Sequence, residues 1–281
     1  MPRMNAIAAL TAVLLLPAAA RAVPEAGCTK ALRAKAWRSE LFSDEWAMCQ
    51  LFGAPAEVRV GDQRVTVLHS DDYVDRTGPK HLLQVQSQEL IDGEVQVCHP
   101  CGARLDLHIY AWDGRAWREA AAFPGFDDSG QWGEAYGVGL VQLGPRQFGL
   151  EVGGGFMTQG IGTSSYRLHA LLPKGKEVDI VSVGPKLRSE SGTCLNLPEA
   201  CEEVEERHAL EPGANPEWFD LVVHEAFTSG KAVKVLEGAD AGEALEHRKL
   251  KHRERTTRYV FDVDASAYVE QRPIRRTKHR R

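Results

Sequence analysis

Near Ala56 the chain takes up a two-residue apolar periodicity, and turn-forming dipeptides interrupt it repeatedly up to Val263. Successive side chains of a strand point to opposite faces, so this period predicts half-buried strands rather than helices. Leu105, Leu107, Ile109 and Ala111 alternate with Arg104, Asp106 and His108; Asp113-Gly114 follows, and a second run extends from Arg115 to Ala120. An Asp-Gly pair between alternating runs marks a hairpin, because tight hairpin turns need positive φ at their central residues. Val58 and Val60 relate to Val65 and Val67 in the same way across Gly61-Asp62. Further strands are expected at His81 to Ile91, Val138 to Leu143, Phe148 to Val152, Tyr166 to Leu172, Lys176 to Val183, Trp218 to His224, Lys231 to Leu236 and Thr257 to Val263. About a dozen short strands predict an all-β fold, mainly an antiparallel meander, barrel- or propeller-like. The absence of βαβ alternation argues against a Rossmann fold or a TIM barrel.

Three segments depart from this rhythm. Cys28 to Phe52 reads as a short helical N-terminal segment, with Ser43 as an N-cap and Gly53 with Pro55 as a stop. Residues 184–217 read as a long irregular loop stapled by Cys194 and Cys201. Asp240 to Glu254 has only Leu245 and Leu250 as an apolar stripe and reads as a solvated helix or a charged loop.

The first 22 residues have the three parts of an export signal: a basic start at Arg3, an apolar run from Ala6 to Leu16, and the small-residue site Ala20-Arg21-Ala22. Cleavage is expected after Ala22. No later stretch is long and apolar enough to make a transmembrane segment. The expected organisation is a signal peptide over 1–22, a helical segment over 23–55, a single β-rich domain over 56–271 and a basic tail over 272–281. The net charge of -5 conceals a segregation, since the leader holds two of the 34 bases and the tail six, and neither holds an acid. The body is therefore left with 26 bases against 39 acids. A basic tail on an acidic body fits contact with an anionic envelope surface or an acidic partner, and it argues against nucleic acid.

Six cysteines follow the leader: Cys28, Cys49, Cys98, Cys101, Cys194 and Cys201. An even count in an exported chain predicts disulfides, and proximity favours Cys28 with Cys49, Cys98 with Cys101, and Cys194 with Cys201. The Cys98-His99-Pro100-Cys101 segment leaves more than one reading open. A thioredoxin-type dithiol needs a helix after its first cysteine, whereas a strand-patterned run follows here. Haem attachment needs His after the second cysteine, where Gly102 stands. Two thiolates with His99 or His108 would make a partial zinc site, but no second pair accompanies them. A structural disulfide is the favoured reading, with redox or metal roles as alternatives.

Other motifs fail on spacing. The glycine-rich stretch Gly153 to Gly162 lacks the Lys-Ser/Thr of a phosphate loop and reads as a flexible or bulged β-connection, with Phe156 and Met157 as apolar contacts displayed by a mobile loop. His224-Glu225 lacks the second His of a zincin helix, and Gly162-Thr163-Ser164-Ser165 is not a nucleophile elbow. Asp127-Asp128 has no identifiable carboxylate partner, and no cofactor motif survives. Trp112, Trp117, Trp132, Tyr110 and Tyr136 form an aromatic concentration best explained by hairpin packing.

The stretch from about residue 80 to 183 resembles a family of uncharacterised, secreted or periplasmic bacterial proteins. The similarity lies in Cys98-His99-Pro100-Cys101, Trp112-Asp113-Gly114-Arg115-Ala116-Trp117, Trp132-Gly133, Leu143-Gly144-Pro145-Arg146-Gln147-Phe148-Gly149 and Gly153 to Gly162. The resemblance implies a periplasmic or secreted β-rich protein and implies no reaction. Together these readings lead to an exported, disulfide-stabilised β-rich protein with a non-enzymatic binding or interaction role in the bacterial envelope.

Overall fold

The computed structural model describes residues 27–128, 130–234, 244–245 and 248–271. The predicted signal peptide and basic tail lie outside the described residues. In chain order the elements are α1 (Asp44–Phe52), β1 (Val58–Val60), β2 (Gln63–Asp75), β3 (Gly78–Ile91), β4 (Glu94–Val95), β5 (Arg104–Trp112), β6 (Trp117–Asp127), β7 (Gly130–Gln131), β8 (Glu134–Ala135) and β9 (Val138–Gly144). They continue with β10 (Gln147–Thr158), β11 (Ile161–Lys174), β12 (Glu177–Ser182), β13 (Leu187–Ser191), α2 (Thr193–Asn196), β14 (Cys201–Glu211), β15 (Asp220–Gly230), β16 (Leu250–Asp262) and β17 (Ala267–Glu270).

The antiparallel meander is confirmed. A first sheet runs β1-β2-β3-β5-β6 with β4 on β3, and a second runs β17-β16-β15-β14-β13-β11-β10-β9 with β12 on β11. The ladders between these strands are antiparallel. The expected hairpin turns stand at Gly61-Asp62 and at Asp113-Gly114, where Asp113 Oδ1 accepts the N–H groups of Arg115 and Ala116, both at 2.9 Å. The second sheet curls until the Phe219 N–H donates to the Leu143 carbonyl at 2.7 Å, but among the described residues its path does not close into a barrel. Isolated hydrogen bonds, this one and that from the Tyr268 N–H of β17 to the Val183 carbonyl at 2.6 Å, stand where a barrel would need a ladder. The ladders lend no support to propeller blades.

Three apolar layers hold the elements together. Leu82, Leu105, Leu107 and Ile109 of the first sheet pack on Val138, Leu150, Val152, Leu171 and Val178 of the second. The opposite face of the first sheet, through Val65, Leu83, Val85, Tyr110 and Trp117, receives Trp46, Ala47 and Met48 of α1. Inside the curl, Leu143, Leu168, Ala170, Trp218, Leu221 and Phe261 form the third layer. There Trp218 stacks on Phe261 with centroids 3.6 Å apart.

Only the second half of the N-terminal segment is helical. The Ser43 hydroxyl accepts the Trp46 N–H at 3.1 Å, and Gly53 ends α1 at φ 77°. Upstream, Trp37 is captured as a β-bridge to Trp117, with the Trp117 N–H donating to the Trp37 carbonyl at 2.8 Å; that pairing displaces a first helix. The stretch expected to be a loop over 184–217 instead holds β13, α2 and β14. Its periodicity is hidden because β14 carries charge on both faces, at Glu202, Glu203, Glu205, Glu206 and Arg207. Local partners satisfy these groups: Glu206 accepts the Arg188 N–H, and Glu203 accepts the Cys194 N–H at 2.7 Å. From Leu250 the segment read as a helix or charged loop is strand β16, paired with β15 through Gly230↔Leu250. Lys231 to Lys234 lie beyond the end of β15 and are not strand.

The three disulfides are Cys28–Cys49, Cys98–Cys101 and Cys194–Cys201, with Cα separations of 5.8, 5.0 and 5.1 Å, and no described cysteine is free. The first anchors the N-terminal segment to α1, and the third ties α2 to the start of β14.

Candidate functional site

Three glutamines on β3 do the positioning. Gln84, Gln86 and Gln88 alternate along the strand, and each is buried. Side chains two residues apart share a strand face, so all three point toward the segment between β7 and β9. The Gln84 amide donates to the Val138 carbonyl at 2.7 Å and accepts the Val138 N–H at 3.0 Å. The Gln86 side-chain oxygen accepts the Ala135 N–H at 3.3 Å, and the Gln88 amide donates to the Gly133 carbonyl at 2.6 Å. Side-chain amides thus replace a β-ladder along residues 133–138, satisfying backbone groups that burial would otherwise leave unpaired.

The Cys98–Cys101 loop grips the other side of this segment. The Cys101 N–H donates to the Cys98 carbonyl at 3.0 Å, closing a turn that the disulfide clips. The Cys98 carbonyl also accepts the Trp132 N–H at 3.0 Å, and the Cys101 carbonyl accepts the Gly133 N–H at 2.8 Å. Trp132 and Gly133 form the two-residue turn between β7 and β8 at φ 58° and 81°. A Cβ on Gly133 would meet the Gln96 carbonyl oxygen at 2.7 Å, so only glycine fits there. Trp132 takes a conformation that costs a bulky residue energy. Its ring is 54% exposed and meets His99 edge-on at 5.2 Å.

The floor beneath is the glycine-rich stretch. It is a paired strand rather than a bulged connection, with Gly153↔Tyr166, Gly154↔Ser165, Gly155↔Ser164 and Phe156↔Thr163 in unbroken register. Gln159-Gly160 supplies the tight turn, with both φ angles positive. Directly paired residues share a side of the sheet. On one side, therefore, Val152 lies beside Arg167, and Gly154 beside Ser165 and Arg188. Gly154 leaves its place on that side empty, beside a groove of about 910 Å³ walled by His99, Pro100, Gln131 and Tyr136. Gly153 and Gly155 face the other side, where a Cβ would meet the Tyr166 ring at 2.8 Å and the Thr163 carbonyl oxygen at 2.5 Å. Tyr136 Oη and the Gln131 amide both donate to the Gly155 carbonyl, the latter at 3.0 Å. Arg167, Lys186 and Arg188 line the groove against one acid, Asp128. The nearby His169 has its pKa lowered, first by burial and then by the Arg167 charge.

Of the residues singled out in the sequence, the groove gathers His99, Tyr136, Phe156 and, on the side of Gly154, Thr163 and Ser165, beside the Cys98–Cys101 loop. Trp112, Trp117 and Tyr110 are elsewhere, packed with α1 as hairpin supports. His224 and His252 bond Thr256 and Thr228 across β15 and β16, each at 3.0 Å. With both sulfurs bonded, Cys98 and Cys101 offer no thiolate to a metal. Among the described residues no group of three or more His, Cys, Asp or Glu side chains is placed to hold one. Among the described residues no hydrogen bond joins a histidine to a groove hydroxyl.

The glutamines were missed in the sequence because alternating polar residues normally face solvent; the signal was their strict spacing in Gln84-Val85-Gln86-Ser87-Gln88. Comparison with family models, with curated proteins and with solved structures finds no match.

Proposed function

We propose that the chain is an exported binding protein of the bacterial envelope and that the groove over Gly153 to Gly155 is its binding site. The observation that carries this reading is the bare floor: Gly154 leaves its groove-facing position empty on a stretch of β10 paired to β11 throughout, and a disulfide-clipped loop walls it. An unfilled concavity lined by a few polar groups is the usual form of a ligand site. Three disulfides suit an oxidising compartment, and no described helix is long and apolar enough to cross a membrane. The basic tail would add attraction to anionic surfaces, worth about 1 kcal/mol per base near a charged membrane.

Amide exchange of the mature chain tests the reading. Oligosaccharides, oligopeptides and lipid vesicles are offered in turn, to the wild type and to Ser165→Trp, whose indole would fill the floor. Protection of residues 153–165 by one class, lost in the variant, is the expected result. No protection by any class, or equal protection in both proteins, overturns it.

A second reading is thiol–disulfide exchange at Cys98–Cys101, favoured by the position of this half-exposed loop at the groove wall. A partner thiolate would attack one sulfur and release the other as a thiolate. Trapping a mixed disulfide with Cys101→Ser would support it. Failure of a small-molecule dithiol to reduce this pair before the other two would end it.

A further inference from the structure

We infer that the groove takes an acidic saccharide chain. The inference rests on the groove being the binding site and adds the ligand class. Its first support is charge placement. Arg188 is opposite Ser165, which is opposite Gly154, so one cation stands two strands from the bare floor in a row across the sheet. Adjacent strands are about 4.8 Å apart, which puts that cation roughly 10 Å from the glycine backbone. Arg167 is two residues along β11 from Ser165, which makes it the diagonal neighbour of Arg188 at about 7–8 Å. Lys186 lies two residues before Arg188. The three bases thus form a short row along the edge of the floor. Arg188 pairs with Glu190 at 2.5 Å. Among the described residues Arg167 and Lys186 have no ion-pair partner, and both are exposed. In a chain whose body is acidic overall, unneutralised bases at a concavity select an anion. The planar guanidinium of Arg167 suits a carboxylate or phosphate in particular.

The second support is what surrounds the charges. Thr163 and Ser165, on the same side as Gly154 and Phe156, present hydroxyls that both donate and accept, matching the hydroxyls of a sugar ring. Phe156, 52% exposed, and the Tyr136 ring give apolar faces for the ring's C–H side. β9 pairs with β10 only as far as Val138↔Val152, so the outer edge of β10 from Gly153 to Thr158 has no strand partner among the described residues, and an extended acidic peptide is the competitor that the titration sets against the sugar.

The test is calorimetric titration of the mature chain at physiological salt. The probes are a galacturonate oligomer, a sulfated oligosaccharide, a neutral galactose oligomer of equal length, an acidic peptide and anionic phospholipid vesicles. Binding of an acidic oligosaccharide but not the neutral one is expected. It should weaken at least tenfold in Arg167→Gln/Lys186→Gln, be lost in Ser165→Trp, and be unchanged in Arg115→Gln at a distant turn. Neutral and acidic sugars binding equally, with loss only in Ser165→Trp, overturns the charge inference and leaves the groove standing. So does Ser165-dependent binding of peptide or vesicles alone, which overturns the saccharide class. Binding of the acidic sugar that ignores both groove variants overturns the inference and the site together.

Discussion

The β10–β11 hairpin has two halves built for opposite purposes. From Phe148 to Val152 it is packed: Leu150 is fully buried opposite His169, and Ala170 and Leu171 are buried across from Gly149 and Phe148. From Gly153 to Thr158 the same ladder continues in register, but Phe156 and Met157 are 52% and 66% exposed and the side chains before them are gone. Pairing with β11 is common to both halves, whereas β9 pairs with the packed half only, so the halves differ in side-chain burial and in one ladder. Ladder bonds stabilise little in net terms, whereas apolar burial supplies most of the driving force. The packed half therefore holds the hairpin, and the bare half is free to meet something else.

The strongest break in this comparison is at Leu150. Truncation to Ala opens a cavity in the layer between the sheets and should cost about 3 kcal/mol in chemical denaturation. A loss under about 1 kcal/mol would mean that the packed half is not what anchors the hairpin. Next comes the wall of the bare half. Replacing Cys98 and Cys101 by Ser removes a ring whose ends are three residues apart, for a loss of roughly 2 kcal/mol. Because the loop carbonyls hold Trp132, its fluorescence should change as well. Replacing Cys28 and Cys49, 21 residues apart, should cost roughly 3 kcal/mol and leave Trp132 unaffected. Equal effects of the two double mutants on Trp132 would break the link between loop and groove.

The packed half was legible in the sequence and the bare half only partly so. Val138 to Leu143 and Phe148 to Val152 announce themselves because alternation survives wherever one face is buried. Gly153 to Gly155 carries no side-chain pattern, and its strand character comes from pairing with β11, which no local reading supplies. β14 failed for a related reason: with Glu and Arg on both faces, its register is set by neighbours such as Arg188 and Thr193 rather than by an apolar stripe. Sequence left the cysteine connectivity open, but the pairs that proximity favours are the ones formed, because each partner is local. The groove was out of reach because its wall and floor meet through the buried glutamines of β3, some 50 residues before the segment they hold.

Acidification should sharpen the comparison with a smaller effect. His169 stands at the boundary, next to Arg167, and burial first and Arg167 second hold its pKa below the ordinary 6.5. A base with a depressed folded pKa contributes stability that is complete above its unfolded value and is lost as pH falls from there. The melting temperature should thus begin to fall below about pH 6.5, and His169→Gln should flatten that limb. Carboxylates act lower. Burial alone would raise Asp44, but hydrogen bonds from His81 and Ser70 outweigh it and hold the pKa below 3.8. Glu151 is held below 4.5, chiefly by its hydrogen bond from His208. Each contributes stability above its unfolded value and loses it as pH falls through its folded one, so a second decline belongs below about pH 4. A melting curve flat from pH 7 to pH 5 would remove His169 from the boundary.

The smallest effect on stability should come from the tip of the bare half. Phe156→Ser with Met157→Ser removes two exposed side chains from a strand whose backbone pairs remain, so unfolding should change by no more than about 0.5 kcal/mol. Folding has no use for those side chains at that position, yet exposed apolar residues beside a groove carry a cost in solubility. If the groove binds a ligand through its rim, the double variant keeps its melting temperature and loses affinity, and comparing melts with titrations on one preparation reads both. A stability loss above 1 kcal/mol would mean that the tip is packed in solution, and the two halves of the hairpin would then differ less than their exposure indicates.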